Sequence, residues 1–359
     1  MPQIVCDSVR VDAKDLSRFI VQLFVAAGVS EENAELAAAP LVDSSLRGID
    51  SHGVARVPHY LRRIRSGSVL PRPTITFDRL APSCGIVDGG HGLGQLVMHR
   101  AAGEAVRLAR DTGAGWVTVR NSSHCGALAS YGQQIAAHGM IGLIFTHVDP
   151  MVLPHGARLP FCGTNPLCIT APVSIDGHPI EAFCLDMATS KTPWNSISNA
   201  IMEAIPIPLG WAVDADGNDT TCPKSANALY PVGEHKGSGL GLAIDILCSL
   251  LSDSPYGPDI PVMYGDLTKH RRLGGMIGAI DISRFVPLER FKVRLTEMLS
   301  RWVQMPTMRG CDRVLFPGEP EVLERQRRLV DGVPLGVRLV EEFGTLADAA
   351  GIPRMGLLG

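Results

Sequence analysis

The chain has 359 residues, of which 45% are hydrophobic and 19% charged, a composition typical of a globular protein with more than one core. Its formal net charge of -3 provides no positive field to attract nucleic acid or an anionic membrane, so neither is an expected partner. The nine cysteines form no CxxC pair and favour reduced thiols. Because the sequence also has no signal-peptide pattern and no apolar run of about 20 residues, we expect a cytoplasmic protein.

The first part of the chain, residues 12–65, has the apolar spacing of α-helices. Asp12 is a suitable N-cap for the first helix, and Ser30 is one for a second helix that extends to Leu41. The predicted apolar stripe of the first helix consists of Phe19, Ile20, Leu23 and Phe24. Gly48 interrupts the helical pattern, and the polar segment that follows it precedes another helix. A polar turn between helices is a favourable place for a functional site.

From about residue 80 to 186 the pattern changes to short apolar runs separated by glycine and proline, which is typical of β-strands. The runs, in chain order, are GIVDG, GWVTVRN, GLIFT, PLCITAP and IEAFCLD. Residues 95–111, between the first two runs, have helical spacing, so this region mixes α and β structure. The later run MIGAIDIS at 276–283 predicts a strand that rejoins the same sheet.

The remaining segments are predicted to be mainly helical. Residues 190–260 are broken by Pro206, Pro208 and Pro223 and contain the turn sequence DADGN, which indicates an inserted subdomain. Helices near 288–303 and 319–331, and a final one in GVRLVEEFGTLADAAG, are expected to pack on the N-terminal helices. The predicted division is a helical domain of residues 1–78 with 319–359, a sheet domain of 79–190 with 265–318, and a helical insertion of 191–264.

Two glycine-rich strings could bind a dinucleotide. GGHGLG at 89–94 follows a strand, but it lacks the G-x-G-x-x-G order, and the next strand ends in Arg120-Asn121 without an acidic residue for ribose hydroxyls. KGSGLG at 236–241 begins a helix, where free N–H groups and the Lys236 ammonium could hold a pyrophosphate. The alternative for KGSGLG is a helix start whose small residues allow close packing.

Two histidines lie in turn-like settings beside hydroxyl residues, His52 in DSHG and His124 in NSSHCG. Imidazole is a suitable general acid for carbonyl reduction near neutral pH, provided that a carboxylate orients it and a cation holds the substrate. Candidates for these supporting roles are Asp50, Asp186, Arg47 and Arg56. The alternative for each histidine is a partly buried side chain with only structural hydrogen bonds.

Other kinds of catalytic site are not indicated. The histidines show neither an H-x-x-x-H pattern nor a Cys/His cluster with zinc spacing, so no metal is expected. The sequence has no G-x-S-x-G element of a serine hydrolase.

Taken together, several strings resemble the malate/L-lactate dehydrogenase family that is unrelated to the Rossmann-type enzymes. The resemblance covers nearly the whole chain, and the strings occur in the family's order. They are RGIDSHGVARVPHYLRRIRSG, VRNSSHCGALASY, LPFCGTNPLCITAP, LDMATS, IPLGWAVDADGNDTT and LYPVGEHKGSGLGLAIDIL. Relatives in this family include ureidoglycolate and sulfolactate dehydrogenases, diketogulonate reductase and piperideine-carboxylate reductase.

The resemblance implies an α/β (α+β) fold with a mostly antiparallel central sheet that binds NAD or NADP in a non-Rossmann manner, flanked by helical domains. It also implies a homodimer and a small 2-oxo or 2-hydroxy acid as substrate. The implied reaction is hydride transfer between the nicotinamide and C2 of that acid.

The resemblance also implies roles for individual residues. His52 or His124 would transfer the proton, with Asp186 behind the histidine, and our preference is His52. Substrate contacts would come from Ser51, Arg56 and Tyr60. The implied cofactor contacts are Asp186, Met187, Ala188, Thr189, Ser190, Lys236, Gly237, Pro317, Gly318 and Glu319.

Two strings depart from the usual family pattern. After DMATS the chain has Pro193 and Trp194 where many members have a small apolar pair and then Gly-Lys, and THVDPM replaces the commoner Thr-Asn-Ser/Thr. THVDPMVLP and VMYGDL resemble ureidoglycolate dehydrogenase, whereas GEHKGS resembles the piperideine-carboxylate reductases. The expected substrate is therefore malate, lactate or a close relative, and ureidoglycolate or a cyclic imine remains an alternative. An inactive, metabolite-binding homologue is the alternative outside the enzymes.

Overall fold

A computed structural model describes residues 8–175, 177–180 and 182–358. Its helices, in chain order, are α1 (Ala13–Ala26), α2 (Glu31–Leu46), α3 (Val57–Arg65), α4 (Gly94–Thr112), α5 (Ala129–Ala136), α6 (Trp194–Glu203), α7 (His235–Cys248), α8 (Leu288–Val303), α9 (Glu319–Asp331) and α10 (Val337–Ala350). Within those described ranges, none of the helices is both long and apolar enough to span a bilayer.

The strands are β1 (Ser8–Val11), β2 (Thr76–Ala81), β3 (Cys84–Asp88), β4 (Ala114–Ser122), β5 (Met140–Thr146), β6 (Leu167–Pro172), β7 (Ala182–Met187), β8 (Ala212–Val213), β9 (Ala228–Leu229), β10 (Leu273–Asp281) and β11 (Val333–Gly336). A central sheet has the order β2-β3-β4-β10-β5-β6-β7. Only β3 and β4 pair in parallel, so the predicted mostly antiparallel sheet is confirmed.

The N-terminal helices form largely as their sequence predicts. The Asp12 carboxylate caps α1 by accepting hydrogen bonds from the Lys14 and Asp15 N–H groups, and the predicted stripe of α1 is buried. Ser30 occupies the N-cap position of α2, but its side chain makes no capping hydrogen bond. Helix α2 continues past the predicted end at Leu41 to Leu46, because its buried face also continues.

The central sheet also follows the apolar runs. Strand β10 contains the run MIGAIDIS and lies between β4 and β5, so the prediction that it rejoins the sheet is confirmed. The sequence analysis missed the edge strand β2, most of whose residues are exposed and lack the apolar run of a buried strand. It also missed the pairing of β1 with β11, which joins two distant parts of the chain.

The predicted packing of the C-terminal helices is correct for α9 and α10 but wrong for α8. Phe343 of α10 packs edge-on against Phe19 of α1, and α9 is joined to the N-terminal region through Arg328. Helix α8 instead buries Leu295 and Leu299 in a cluster with residues at the end of β6. Its apolar stripe therefore covers the sheet rather than the N-terminal helices.

The THVDPM departure has a structural role. The buried imidazole of His147, directly after β5, accepts the Gly274 N–H at Nε2 (2.8 Å) and faces the Asp245 carboxylate of α7 at Nδ1 (2.8 Å). Because Nε2 accepts a hydrogen bond, the ring proton is on Nδ1, which donates a hydrogen bond to Asp245. One side chain thus joins the sheet to α7.

Replacing His147 with Leu should lower the melting temperature by about 5–10 °C, because it leaves the Gly274 N–H and the buried Asp245 carboxylate without their partner. The variant His147→Asn, which restores the commoner residue but is too short to reach both groups, should be destabilised less. Calorimetry beside an exposed control, His138→Leu, measures the effect. A melting temperature unchanged in His147→Leu would contradict this role.

Candidate active site

The DSHG segment forms a compact turn against α2. Two short 3-10 helices, Asp50–His52 and Val54–Arg56, connect α2 to α3. A Cβ atom on Gly53 would lie 2.1 Å from Ser45 Oγ, so only glycine allows this close approach. The Val54 N–H donates to the same Ser45 hydroxyl (3.0 Å). The turn is therefore fixed on a helix, and it holds the side chain of His52 at a defined position.

Both predicted histidines lie at one place. The rings of His52 and His124 stack with centroids 5.7 Å apart and planes 24° apart. The hydroxyl of Tyr60, on α3, lies 2.7 Å from His124 Nδ1, and that nitrogen also accepts the Gly126 N–H (3.4 Å). The Ser51 hydroxyl lies 2.9 Å from His52 Nδ1. Four residues predicted separately from sequence are thus in one cluster.

This environment favours uncharged imidazoles. Burial, followed by the positive charge of Arg56, lowers the pKa of His52 to about 4. Burial also lowers the pKa of His124, with further contributions from His52, Arg56 and Arg271. Both side chains are therefore neutral at pH 7, and a bound anion would favour the protonated form of either.

Arg56 lies at the edge of the cluster. Its Nε donates to the Ser51 carbonyl (2.5 Å), and its Nη1 donates to the Tyr264 hydroxyl. The other cation considered from sequence, Arg47, forms hydrogen bonds to Asp43 and Gln133 Oε1. The arrangement therefore favours Arg56 as the cation available to a substrate.

The two carboxylates considered as partners of the histidines are engaged elsewhere. Asp50 binds Arg328 through both oxygens (2.6 and 3.1 Å). Asp186, in β7, accepts the Ala129 N–H at the start of α5 (2.8 Å). Within the described ranges, no hydrogen bond joins Asp186 to His52. Burial raises the pKa of Asp186 to about 6.

The predicted cofactor segments lie close together. The Val232 N–H donates to the Thr189 carbonyl (2.8 Å), which places DMATS beside the start of α7. A Cβ on Gly241 would meet Thr189 Oγ1 at 3.2 Å. Lys236 is exposed in the first turn of α7, whereas Gly237 is buried, and a Cβ on Gly237 would lie 1.9 Å from the Val232 carbonyl oxygen.

These residues fit a nicotinamide dinucleotide. The start of a long helix and an exposed ammonium suit the pyrophosphate. Nearby, Asn165 donates to the Gly241 carbonyl (2.9 Å), while its buried Oδ1 accepts no hydrogen bond from the part of the chain that the structure describes. Buried polar atoms rarely lack a partner, and such an acceptor suits an amide or hydroxyl donor of a ligand. Asn165, in the string CGTNP, is therefore a further candidate for a cofactor contact.

The space beside the other glycine-rich string, GGHGLG, is occupied by residues of the chain itself. The Gly94 N–H at the start of α4 donates to Ser123 Oγ (2.9 Å). A Cβ on Gly94 would lie 2.3 Å from the Ser123 carbonyl oxygen, and one on Gly89 would lie 2.8 Å from Val97. The glycines of GGHGLG thus allow close packing of α4, which explains why this string lacks the order of a phosphate-binding turn.

The FPGE segment lies against β7, near DMATS. The Cys184 N–H donates to the Pro317 carbonyl (3.3 Å), and Gly318 adopts a φ of 94° there. The buried carboxylate of Glu319 accepts the Phe316 N–H (3.4 Å) and pairs with Arg313 (3.5 Å). Glu319 is therefore occupied, and a cofactor contact from this segment would have to come from its backbone.

Three residues beside the histidines were not predicted from sequence. Tyr264 contacts Arg56 and places its ring 4.9 Å from that of His59. Asp149 and Arg271 form a buried ion pair. None of these residues belongs to a recognisable spacing pattern, although two of them lie in strings noted above, Tyr264 in VMYGDL and Asp149 in THVDPM.

Comparisons with known proteins identify the family of this chain. A profile described as malate/L-lactate dehydrogenase matches residues 11–343. The chain is 35% identical over 354 residues to a malate dehydrogenase of Pyrococcus horikoshii, covering 96% of each protein. It is 31% identical over 326 residues to an NAD(+)-dependent ureidoglycolate dehydrogenase of Escherichia coli O157:H7, covering 91% of this chain and 92% of the relative. A solved structure of malate dehydrogenase from Pyrococcus horikoshii OT3 has a TM-score of 0.89 at 33% identity and covers 99% of both chains.

The chain therefore belongs to the malate/L-lactate dehydrogenase family. The predicted family is confirmed, and with it the class of oxidoreductase, a dehydrogenase of the 2-hydroxy acid type.

Proposed function

We propose that this protein interconverts a small 2-hydroxy acid and the corresponding 2-oxo acid with NAD or NADP, using His52 for the proton and Arg56 for the substrate carboxylate. The nicotinamide, when bound, accepts or supplies the hydride at C2. Neutral His52 takes the hydroxyl proton during oxidation and returns it during reduction. Arg56 binds the substrate carboxylate through its remaining N–H groups, and a charged, two-pronged contact fixes the orientation of C2.

The choice of His52 rather than His124 for proton transfer rests on the hydrogen bond from the Gly126 N–H to His124. Because an N–H group can only donate, Nδ1 of His124 must be an acceptor, and its neutral ring carries the proton on Nε2. Such a ring can donate a hydrogen bond to the substrate oxygen but has no free basic nitrogen on that side. His52 can donate from Nδ1 to the Ser51 hydroxyl and keep Nε2 as a base. Ser51 thus takes the orienting role first considered for Asp186.

Asp186 is then a positioning residue. It holds the start of α5, five residues after His124, and it begins the DMATS segment. Asn at this position could still accept the Ala129 N–H through its amide oxygen. The measured effect of Asp186→Asn on kcat therefore separates positioning, which predicts a small loss, from a charge relay.

We further propose that the cofactor binds in a non-Rossmann manner between DMATS and the start of α7. Met187, Ala188, Thr189 and Ser190 would line one side, and Lys236 with the helix N–H groups would hold the pyrophosphate. The backbone of Pro317 and Gly318 is next to this region through β7. Because the glycines of GGHGLG pack against Ser123 and Val97, they leave no room for a phosphate, which supports this location over a phosphate-binding turn at GGHGLG.

Replacing Lys236 with Met should raise the Michaelis constant for NAD(P)H about tenfold and change kcat little, because the ammonium contributes to binding equally before and during the reaction. Lys292→Met, at a half-buried lysine paired with Glu289 on α8, is the control. Steady-state kinetics with varied cofactor measure both. If Lys236→Met binds NAD(P)H as the parent does, the pyrophosphate lies elsewhere.

A spectrophotometric screen of NADH and NADPH oxidation tests the substrate class. The panel contains oxaloacetate, pyruvate, oxalurate and piperideine carboxylate. Turnover of a 2-oxo acid supports the proposal, whereas turnover of oxalurate or the cyclic imine alone would favour those alternatives. Cofactor binding without turnover of any compound would favour an inactive homologue.

We also propose a homodimer. Helix α7, next to the proposed cofactor site, carries apolar side chains that are unusually exposed for its length, including Leu242 (49%) and Ile246 (47%). A patch of this kind is typical of a subunit interface. Light scattering tests it, and Ile246→Asp should shift a dimer towards monomer.

The three-part division of the chain is likewise a proposal. It is supported by a hydrophobic cluster that joins residues between Val11 and Val69 to Val333, Leu335, Phe343 and Ala347, and that also contains Leu93 and Leu96 at the start of α4. A second cluster surrounds the central sheet. Limited proteolysis, with cleavage expected near the proposed boundaries, tests this division.

A further inference from the structure

Arg271 is a buried arginine with an unused donor. Its side chain is 1% exposed and pairs with Asp149, while its Nε donates to the Pro261 carbonyl (3.0 Å). Its Nη1 is also buried and has no hydrogen-bond partner among the described residues. A guanidinium nitrogen in this condition is costly, and such an exception commonly indicates a missing water, ion or ligand.

The position of Arg271 links it to the proposed active site. The Asp149 carboxylate that holds Arg271 also accepts the Met263 N–H (3.3 Å). The hydroxyl of the next residue, Tyr264, accepts a hydrogen bond from Arg56 Nη1, and its ring packs on His59. Arg56 thus contacts Tyr264 directly, and Arg271 is linked to the neighbouring Met263 through Asp149. The charge of Arg271 also contributes to lowering the pKa of His124, so the two groups are within electrostatic range.

Neither arginine has used all its donors. Arg56 hydrogen bonds through Nε and Nη1, and no bond from its Nη2 to another described residue is present. Arg271 keeps Nη1 free. A substrate with one carboxylate could occupy only one of these guanidinium groups, and the remaining donors of the other would stay unused.

We propose that Arg271 is a specificity-determining residue whose Nη1 binds a second carboxylate at the far end of the 2-oxo acid, while Arg56 binds the carboxylate next to the carbonyl. This inference rests on the proposed function and narrows it to dicarboxylic substrates. Asp149 fixes the guanidinium from behind and limits its movement. A buried, charge-assisted hydrogen bond of this kind discriminates strongly against an analogue that lacks the acceptor.

Oxaloacetate and 2-oxobutyrate form a matched pair of probes, because a methyl group replaces the second carboxylate. In the parent, kcat/KM for oxaloacetate should exceed that for 2-oxobutyrate by about 10²-fold or more. In Arg271→Met this preference should fall to less than about fivefold, mainly through loss of oxaloacetate turnover. The double variant Asp149→Asn/Arg271→Met should behave in the same way without leaving a lone buried carboxylate.

Asp149→Asn alone is the control for a purely structural role. It removes the ion pair but keeps the guanidinium. The values of kcat/KM for oxaloacetate and 2-oxobutyrate should therefore fall together, and the preference for oxaloacetate should persist. The inference is overturned if the parent reduces both compounds equally, if Arg271→Met keeps the parent's preference, or if Asp149→Asn loses the preference as fully as Arg271→Met.

A binding measurement separates this inference from the reaction itself. If neither compound is reduced with either cofactor, the proposed function fails. The melting temperature in saturating malate or 2-hydroxybutyrate then tests the dicarboxylate site by itself. Stabilisation by malate that is absent in Arg271→Met supports the dicarboxylate site, whereas equal stabilisation by both acids, or by neither, overturns it.

Discussion

Replacing His52 with Ala should lower kcat by about 10²–10⁴-fold, because the substrate hydroxyl loses its proton acceptor. In the parent, kcat/KM for oxidation should be constant near neutral pH and fall as the pH approaches about 4, where His52 becomes protonated. The alanine variant should lose this limb of the profile. Its Michaelis constant for the cofactor should remain close to that of the parent.

His124→Ala is the decisive comparison for His52. It should weaken substrate turnover through loss of a hydrogen bond but keep the acidic limb. An exposed histidine near the end of α5, His138, provides the control His138→Ala, which should match the parent. Retention of the limb in His52→Ala together with its loss in His124→Ala would assign the proton to His124 instead.

Replacing Arg56 with Lys should lower kcat/KM for the 2-oxo acid at least tenfold, and Arg56→Met should lower it by about 10²-fold or more. An ammonium can neither reproduce a planar, two-pronged contact with a carboxylate nor keep the bonds to the Ser51 carbonyl and the Tyr264 hydroxyl together. Steady-state kinetics with varied substrate and saturating cofactor measure this loss.

Arg62→Lys is the matched control, because this neighbouring arginine of α3 pairs with Glu342 at the surface. It should leave kcat/KM unchanged. Full activity of Arg56→Lys would contradict the assignment of the carboxylate contact to Arg56, while an altered Michaelis constant for NAD(P)H would indicate that Arg56 contacts the cofactor.

Much of the fold could be predicted because its cause is local. The Asp12 cap, the stripe of α1 and the alternation of the central strands depend on residues close in sequence. The packing of α8 could not be predicted, because an apolar stripe such as that of Leu295 and Leu299 does not specify which surface covers it. The edge strand β2 lacks a buried face and thus an apolar signal.

The candidate site could be predicted where its residues lie in compact strings. DSHG and SSHCG drew attention to His52 and His124, and the structure brings the two rings together. Arg271 and Asp149 were missed because their pairing joins positions 122 residues apart. For Asp186 the resemblance implied a role behind the histidine but no particular hydrogen bond, and in the structure its carboxylate accepts the Ala129 N–H at the start of α5.

The transfer of deuterium from NAD(P)H labelled at C4 of the nicotinamide tests the central claim most directly. Incubation of the protein with the labelled cofactor and oxaloacetate should yield the 2-hydroxy acid with one deuterium at C2, detected as a mass increase of one unit. The His52→Ala protein should form the same labelled product at a much lower rate. Cofactor binding with no labelled hydroxy acid from any 2-oxo acid, or product without deuterium at C2, would contradict the account.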